Sequence, residues 1–358
     1  MQKKKRNYSL DFLKILATTG IVFHHFQQVT NVKYDHFINF WGEWFYWGYL
    51  VEFFFLLSGY FMCRYIPSIT ENAITLADWW KKRALRLLPM VAISAIGYEL
   101  ILLAHLKVNG NAWMDISITV WGTIITSLGI QDGWVFSNPY VNNPVWYISV
   151  LMACYILFYI VTVLASKIKC NPMYLYISMI LLGIGIGTYN INLPLLNSQM
   201  GRGYYAFFFG LLLSTYINKN GVKLRELVIS IFCLIFFTFV FIFYPQYGEK
   251  DLNYTLTFLV FPSLIFIFES KFLQKFFCHK VWGTLSAISY EVYLWHNPML
   301  PLMYVIMGWL NWNPDFSNIN CMFIFLIASW LFGALMYFLV ERPVTKLLTQ
   351  KIKGFYLF

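Results

Sequence analysis

Apolar residues recur in blocks of about 20, the length needed to cross a hydrocarbon core as a helix. The blocks fall near 10–29, 46–66, 87–106, 145–165, 173–191, 201–217, 226–244, 253–270, 284–308 and 320–342. A further stretch at 116–131, DISITVWGTIITSLGI, interleaves polar residues and is short for a crossing. It reads as interfacial or re-entrant. The span at 173–191 carries Gly183, Gly185 and Gly187 at alternate positions, a pattern for close helix packing. No internal repeat, low-complexity linker or soluble appendage is visible. The pattern predicts an all-α, polytopic integral membrane protein with about ten transmembrane helices. It forms a single domain over 1–358, a bundle at about 10–342 with short cytoplasmic tails, so any chemistry is expected within the membrane domain.

Composition agrees. The chain is 59% hydrophobic and 12% charged, against about 45–50% and about 25% for a soluble domain. A solvated surface cannot be built from so few charges, and an ordinary soluble protein is excluded. The net charge of +10 would suggest nucleic acid were it not for where the charge sits. Lys33, Lys107, Arg202 and Lys250 fall on one side of the predicted spans and Lys14 inside the first. Every other basic residue falls on the opposite side. That asymmetry places both termini in the cytoplasm and makes the excess a topology signal rather than a nucleic-acid patch. The amino terminus is not read as a signal peptide, because its apolar stretch is too long and lacks a small-residue cleavage site. The six cysteines show no paired spacing, so neither a disulfide framework nor a metal site is expected.

The first span, LDFLKILATTGIVFHHF, holds Asp11, Lys14, His24 and His25. Lys14 and His25 are eleven residues apart, three turns plus roughly 20°, so they share a face about 16 Å apart along the axis. His24 turns to a different neighbour. Ionisable groups at such depth usually face a bundle interior or a wet cavity. The plainer alternatives are a snorkelling Lys14 and a hydrogen-bonded structural His25. The second span returns with Glu52 near its outer end, at a depth similar to that of His25. A carboxylate there can orient an imidazole as in a general-base pair; a protonated, structural Glu52 is the alternative. Ser58–Gly59 in the same span reads as helix packing rather than as a nucleophile.

Arg64 and the run KKRALRLLP follow, and Arg83 and Arg86 sit three apart before Pro89. Forked guanidinium contacts to a phosphorylated ligand fit this arrangement, as does anchoring at anionic lipid. Later segments add NNPVWYISV with Trp146 and Tyr147, SYEVYLWHNP with Glu291 and His296, and VERP with Glu341 and Arg342. His296 lies about 18 Å along its span and can approach the outer cavity inferred for His25. His105 reads as interfacial.

In this order the chain resembles the acyltransferase-3 family. LDFLK…FHH is similar to the family's Leu-Asp-x-x-Arg, ten residues, His pattern aligned on His25. EFFFLLSG resembles its Phe-Phe-x-x-Ser-Gly element and RALRLLP its Arg-x-x-Arg element. VWYISV, SYEVYLWH and ERP resemble later landmarks, so the resemblance runs from Leu10 to Pro343. Two departures stand out: Lys14 replaces the usual arginine, and Ser149-Val150-Leu151 lacks the acid many relatives carry there. The resemblance implies a bacterial cytoplasmic-membrane enzyme with no resident cofactor. It would move an acyl group, commonly acetyl, from cytoplasmic acyl-CoA to a hydroxyl on an extracytoplasmic surface polysaccharide or lipid-linked saccharide. His25 would be the base aided by Glu52, or would carry a transient acyl group. Lys14, Arg64, Arg83 and Arg86 would hold the donor, and Trp146, Tyr147 and His296 the acceptor. The bilayer and other glycan-assembly proteins are the remaining expected partners. A transporter or flippase without acyl chemistry is the alternative of a different class, and a scaffold that has lost catalysis is a third.

Overall fold

The structure is a computed structural model of the chain. It describes residues 6–34, 39–41, 46–115, 119–134, 141–243 and 249–355. Among these residues every extended element is a helix and no strand occurs; Leu193 and Leu196 form one isolated bridge.

Each predicted apolar block lies on a helix. In chain order these include Tyr8–Thr30, Leu50–Met62, Leu76–Asn109, Trp146–Lys167 and Pro172–Thr188. Ser198–Asn220, Leu224–Phe243, Phe261–Phe268, Lys280–Leu310 and Asn320–Met336 follow. Five helical stretches among the described residues are long and apolar enough to cross a membrane: Trp47–Thr70, Leu76–Asn109, Asn143–Lys167, Leu224–Phe243 and Asn320–Leu348. Tyr8–Thr30, Ser198–Asn220 and Lys280–Leu310 have the length but are more polar. Phe232, Ile235 and Phe239 of the Leu224–Phe243 helix point outward. An exposed apolar face of that size suits lipid and not water.

The stretch read as interfacial or re-entrant contains the helix Val120–Ser127. Eight residues span only about 12 Å, too little to cross. Its residues 116–118 lie outside the described residues.

Local chemistry explains the boundaries. Asn7, Thr75 and Asn171 cap helix starts, their side-chain oxygens accepting from the backbone N–H of Ser9, Asp78 and Met173. Gly110, at φ +75°, ends the long helix from Leu76 by turning left-handed, and its N–H bonds Leu106 O. Two π turns, Leu256–Val260 and Tyr337–Glu341, each end immediately before an X-Pro pair. Phe261 N–H bonds Leu256 O and Arg342 N–H bonds Tyr337 O, five residues back. Pro262 and Pro343 have no N–H to give and crowd the preceding turn, so the helix widens there rather than breaking.

The chain divides into two compact units, 1–64 with 206–289 and 65–205 with 290–358. The first is centred on Leu10, Leu13, Phe53, Leu56, Leu213 and Leu256, all buried. Two of its helices touch backbone to backbone. A Cβ at Gly59 would collide with Phe207 O, and one at Gly210 with Leu56 O. Gly59 is therefore a packing residue, as the span pattern predicts. In the second unit Gly183 meets Gly201 O and Tyr205 N in the same way, whereas a Cβ at Gly185 would meet nothing within 4 Å. The alternate glycines do not act together, because successive helical positions two apart face different sides.

Candidate active site

In the first unit, the start of the first helix is an ionic cluster. Asp11 is buried and accepts from Arg6 Nε at 2.6 Å and Ser286 Oγ at 2.7 Å. Lys14 Nζ lies 3.8 Å from the same carboxylate and 4.6 Å above the Phe61 ring. Arg6 also donates to Gly283 O at 2.9 Å. Three residues separate Asp11 from Lys14, the spacing that lets a carboxylate meet an ammonium on one face. Asp11 thus aims Lys14, a role that the sequence reading did not assign it.

Farther along the same helix, His25 Nδ1 sits 3.1 Å from Ile21 O. A carbonyl oxygen only accepts, so Nδ1 is the donor in this contact. His24 is turned elsewhere, as the helical geometry predicts: its Nδ1 pairs with Phe40 O at 2.7 Å, and Trp41 and Tyr46 pack edge-on to its ring. The two imidazoles meet edge to face at 5.0 Å. Gln27 completes this end, its amide donating to Asn39 Oδ1 and accepting from Phe40 N. Asn39 and Phe40 are thereby tied to the first helix, Phe40 beside His24.

Glu52 is fully buried in the first turn of Leu50–Met62. Leu50 and Trp47 lie against Gly20, and Lys14 lies over Phe61. Those contacts make the two helices an antiparallel pair, with Glu52 at a level between Lys14 and His25. Arg64 is exposed in the 3-10 turn Cys63–Tyr65.

The second unit holds the other predicted residues. Arg83 is buried, its guanidinium 3.5 Å from the Trp79 ring centroid and 4.7 Å from that of Tyr65, with Tyr155 at 5.9 Å. Trp79 is itself fixed by an Nε1–H bond to Tyr155 O at 3.0 Å. Arg86 is exposed. A spacing of three predicts a shared face, but the aromatic cluster encloses one guanidinium and leaves the other outside.

Trp146 carries the Arg202 guanidinium 4.9 Å over its ring. Tyr147 is buried edge-on against Tyr293 at 5.5 Å. His296 is fully buried, with Nδ1 3.2 Å from Val292 O and its ring 5.8 Å from Tyr293. Tyr293 OH donates to Pro144 O at 2.6 Å and Asn142 Nδ2 to Leu294 O at 2.9 Å. NNPVWY and SYEVYLWHN, separate landmarks in the sequence, thus form one structure. Asn142 and Asn297 stitch it together at 3.5 Å, and Gln131 donates to the carbonyls of Asn142 and Asn143. Sequence reasoning passed over these three amides; the Asn-Pro pairs at 143–144 and 297–298 were the signal.

The Acyltransferase domain family matches residues 7–340. This chain belongs to the acyltransferase-3 family. The resemblance drawn from the ordered motifs is borne out over nearly the whole chain. Among curated relatives, the peptidoglycan O-acetyltransferase OatA of Listeria monocytogenes is 23% identical over 367 residues, covering 94% of this chain and 56% of the relative. The O-acetyltransferase OatA of Staphylococcus aureus is 23% identical over 379 residues, covering 94% and 57%. The chain spans little more than half the length of these relatives. No solved structure matches it. The family match takes in the clusters around Asp11 and His25, the Arg83 cage and the Tyr147–His296 group.

Proposed function

We propose that this acyltransferase-3 chain is an integral enzyme of the bacterial cytoplasmic membrane. It moves an acetyl group from cytoplasmic acyl-CoA to a hydroxyl of an extracytoplasmic polysaccharide or lipid-linked saccharide. The observation that carries the reading is the placement of His25 on the same unbroken helix as the Asp11–Lys14 ion pair, with its Nδ1 hydrogen-bonded to Ile21 O. Relatives named as O-acetyltransferases support acetyl as the group transferred and a glycan as its acceptor.

In this mechanism Nε2 of His25 removes the acceptor's hydroxyl proton as its oxygen attacks the thioester carbonyl. The C–S bond then breaks, and the imidazolium returns the proton to the departing thiolate. Glu52 favours the charged imidazolium through its carboxylate. Lys14, steadied by Asp11, and the guanidinium groups of Arg64, Arg83 and Arg86 serve the donor's anionic portion. Trp146, Tyr147 and His296 serve the acceptor.

The test uses the purified full chain in lipid nanodiscs with acetyl-CoA, following free thiol release and label in a saccharide acceptor. Folded His25→Ala is expected to lose 10²–10⁴-fold in turnover, on the order of one general base. Unchanged turnover would remove His25 from the chemistry. Acceptor movement across the bilayer without thiol release would favour a flippase.

A further inference from the structure

The first helix carries a polar side chain that the proposed mechanism does not use. Thr18 lies in the interior of Tyr8–Thr30 and is 1% exposed. Its Oγ1 is buried and has no hydrogen-bond partner among the described residues. A threonine inside a helix can return its hydroxyl proton to the carbonyl three or four residues back. Thr30, Thr162, Thr215 and Thr238 do so, donating to Phe26 O at 2.9 Å, Phe158 O at 2.6 Å, Leu211 O at 2.9 Å and Leu234 O at 2.8 Å. For Thr18 the equivalent acceptor is Lys14 O, and the hydroxyl does not take it. A buried hydroxyl without a partner opposes folding, so this one is held against a cost.

Helix geometry gives its direction. At about 100° per residue, Thr18 stands about 40° round the helix from Lys14, with His25 at about 20° and Asp11 at about 60°. Ile21 falls about 20° to the other side, so the five side chains form one stripe about 80° wide. At about 1.5 Å per residue, Thr18 is about 6 Å along the axis from Lys14 and about 10 Å from His25. The Lys14 end of the stripe meets two other helices of its unit. Ser286 Oγ donates to Asp11 at 2.7 Å, and Lys14 Nζ lies 4.6 Å over the Phe61 ring. Between the ammonium and the imidazole the stripe carries only Thr18 and Ile21, and Thr18 Oγ1 is the polar side-chain atom there.

The ligand group that matches this atom is neutral. A hydroxyl both donates and accepts, and an ion at such depth calls for a countercharge. A secondary amide, with one C=O and one N–H, answers both halves of the hydroxyl. In an acyl-CoA the groups between the phosphates and the thioester are the amides of the pantetheine arm. The stripe presents their partners in the same order: cation, hydroxyl, imidazole. We propose that Thr18 is a donor-binding residue whose hydroxyl hydrogen-bonds an amide of that arm, while Lys14 faces the anionic end and His25 the thioester. The inference rests on the acyl-CoA reading and adds to it a residue that selects the arm without entering the acyl transfer.

The experiment follows melting of the full chain in lipid nanodiscs with and without acetyl-CoA, together with donor kinetics, for wild type, Thr18→Val and Thr18→Ser. Thr18→Val keeps the branched shape and removes the hydroxyl, so without donor it should melt no lower than wild type. With acetyl-CoA, wild type and Thr18→Ser should gain more stability than Thr18→Val. Thr18→Val should raise KM for acetyl-CoA about three- to tenfold, the worth of one neutral hydrogen bond, with kcat nearly unchanged. Thr18→Ser should stay near the wild-type KM. A Thr18→Val protein that melts lower than wild type without donor overturns the proposal, because the hydroxyl then serves the fold. An unchanged KM in Thr18→Val, or a Thr18→Ser variant equally impaired, overturns it too. If acetyl-CoA stabilises all three proteins alike, the Thr18 assignment falls and the donor reading stands; if it stabilises none, the donor reading falls and takes Thr18 with it.

Discussion

Asp132 offers a quantitative test that needs no substrate. It lies between the helix Val120–Ser127 and the turn Asn143–Val145, is buried, and is pushed by that burial from 3.8 up to about 6. The folded protein therefore favours the neutral acid. Stability from this group is fully present below about pH 4, where folded and unfolded chains are both protonated. It is lost as pH rises through about 6, because the unfolded carboxyl ionises first and the buried one must follow. From 3.8 to about 6, at 1.36 kcal/mol per pH unit, the loss amounts to ~3 kcal/mol. Asp132→Asn keeps the shape and cannot ionise, so the variant should match wild type near pH 4 and be more stable by up to ~3 kcal/mol near pH 8. Tryptophan-fluorescence unfolding of both proteins in the same detergent reads the difference, and other titrating groups cancel between them. Parallel stability curves across that range, or a wild type favoured at alkaline pH, would refute the burial argument. The neighbouring Gln131 holds the carbonyls of Asn142 and Asn143, so the alkaline loss should begin in this segment and appear first in its hydrogen exchange.

The other predictions test packing and the ionic cluster. Gly183→Ala should cost about 1–3 kcal/mol through collision with the Gly201 and Tyr205 backbone, whereas Gly185→Ala should stabilise by roughly 0.5–1 kcal/mol from helix propensity alone; thermal unfolding separates them. Gly59→Leu should abolish folded protein on size-exclusion chromatography, since the Phe207 carbonyl it meets belongs to backbone. Asp11→Ala should lower stability by about 1–3 kcal/mol through the orphaned Ser286 and Lys14 contacts, and lower activity more than Asp11→Asn does. Arg83→Met should unfold less readily than Arg83→Ala, because a long side chain can still fill the space between Trp79 and Tyr65; equal losses would show that the cation–π contact itself matters most.

Helical periodicity, span length and the alternation of basic residues are local properties, and they sufficed to identify a helical membrane protein, to locate every apolar block and to place its motifs in family order. Helix capping was equally legible, because Asn7, Thr75 and Asn171 act within three residues of themselves. The eleven-residue step from Lys14 to His25 also survives, since both lie on one unbroken helix. Other features depend on where helices cross. Ser286 reaches Asp11 from 275 positions away, and Asn142 reaches Leu294 from 152. Arg83 parts company with Arg86 because Tyr65 and Tyr155 arrive from other helices to enclose it. A sequence specifies which side of a helix a residue occupies; which partner waits on that side is decided by backbone contacts such as Gly59 on Phe207 and Gly333 on Val292, where the absence of a side chain lets two helices close.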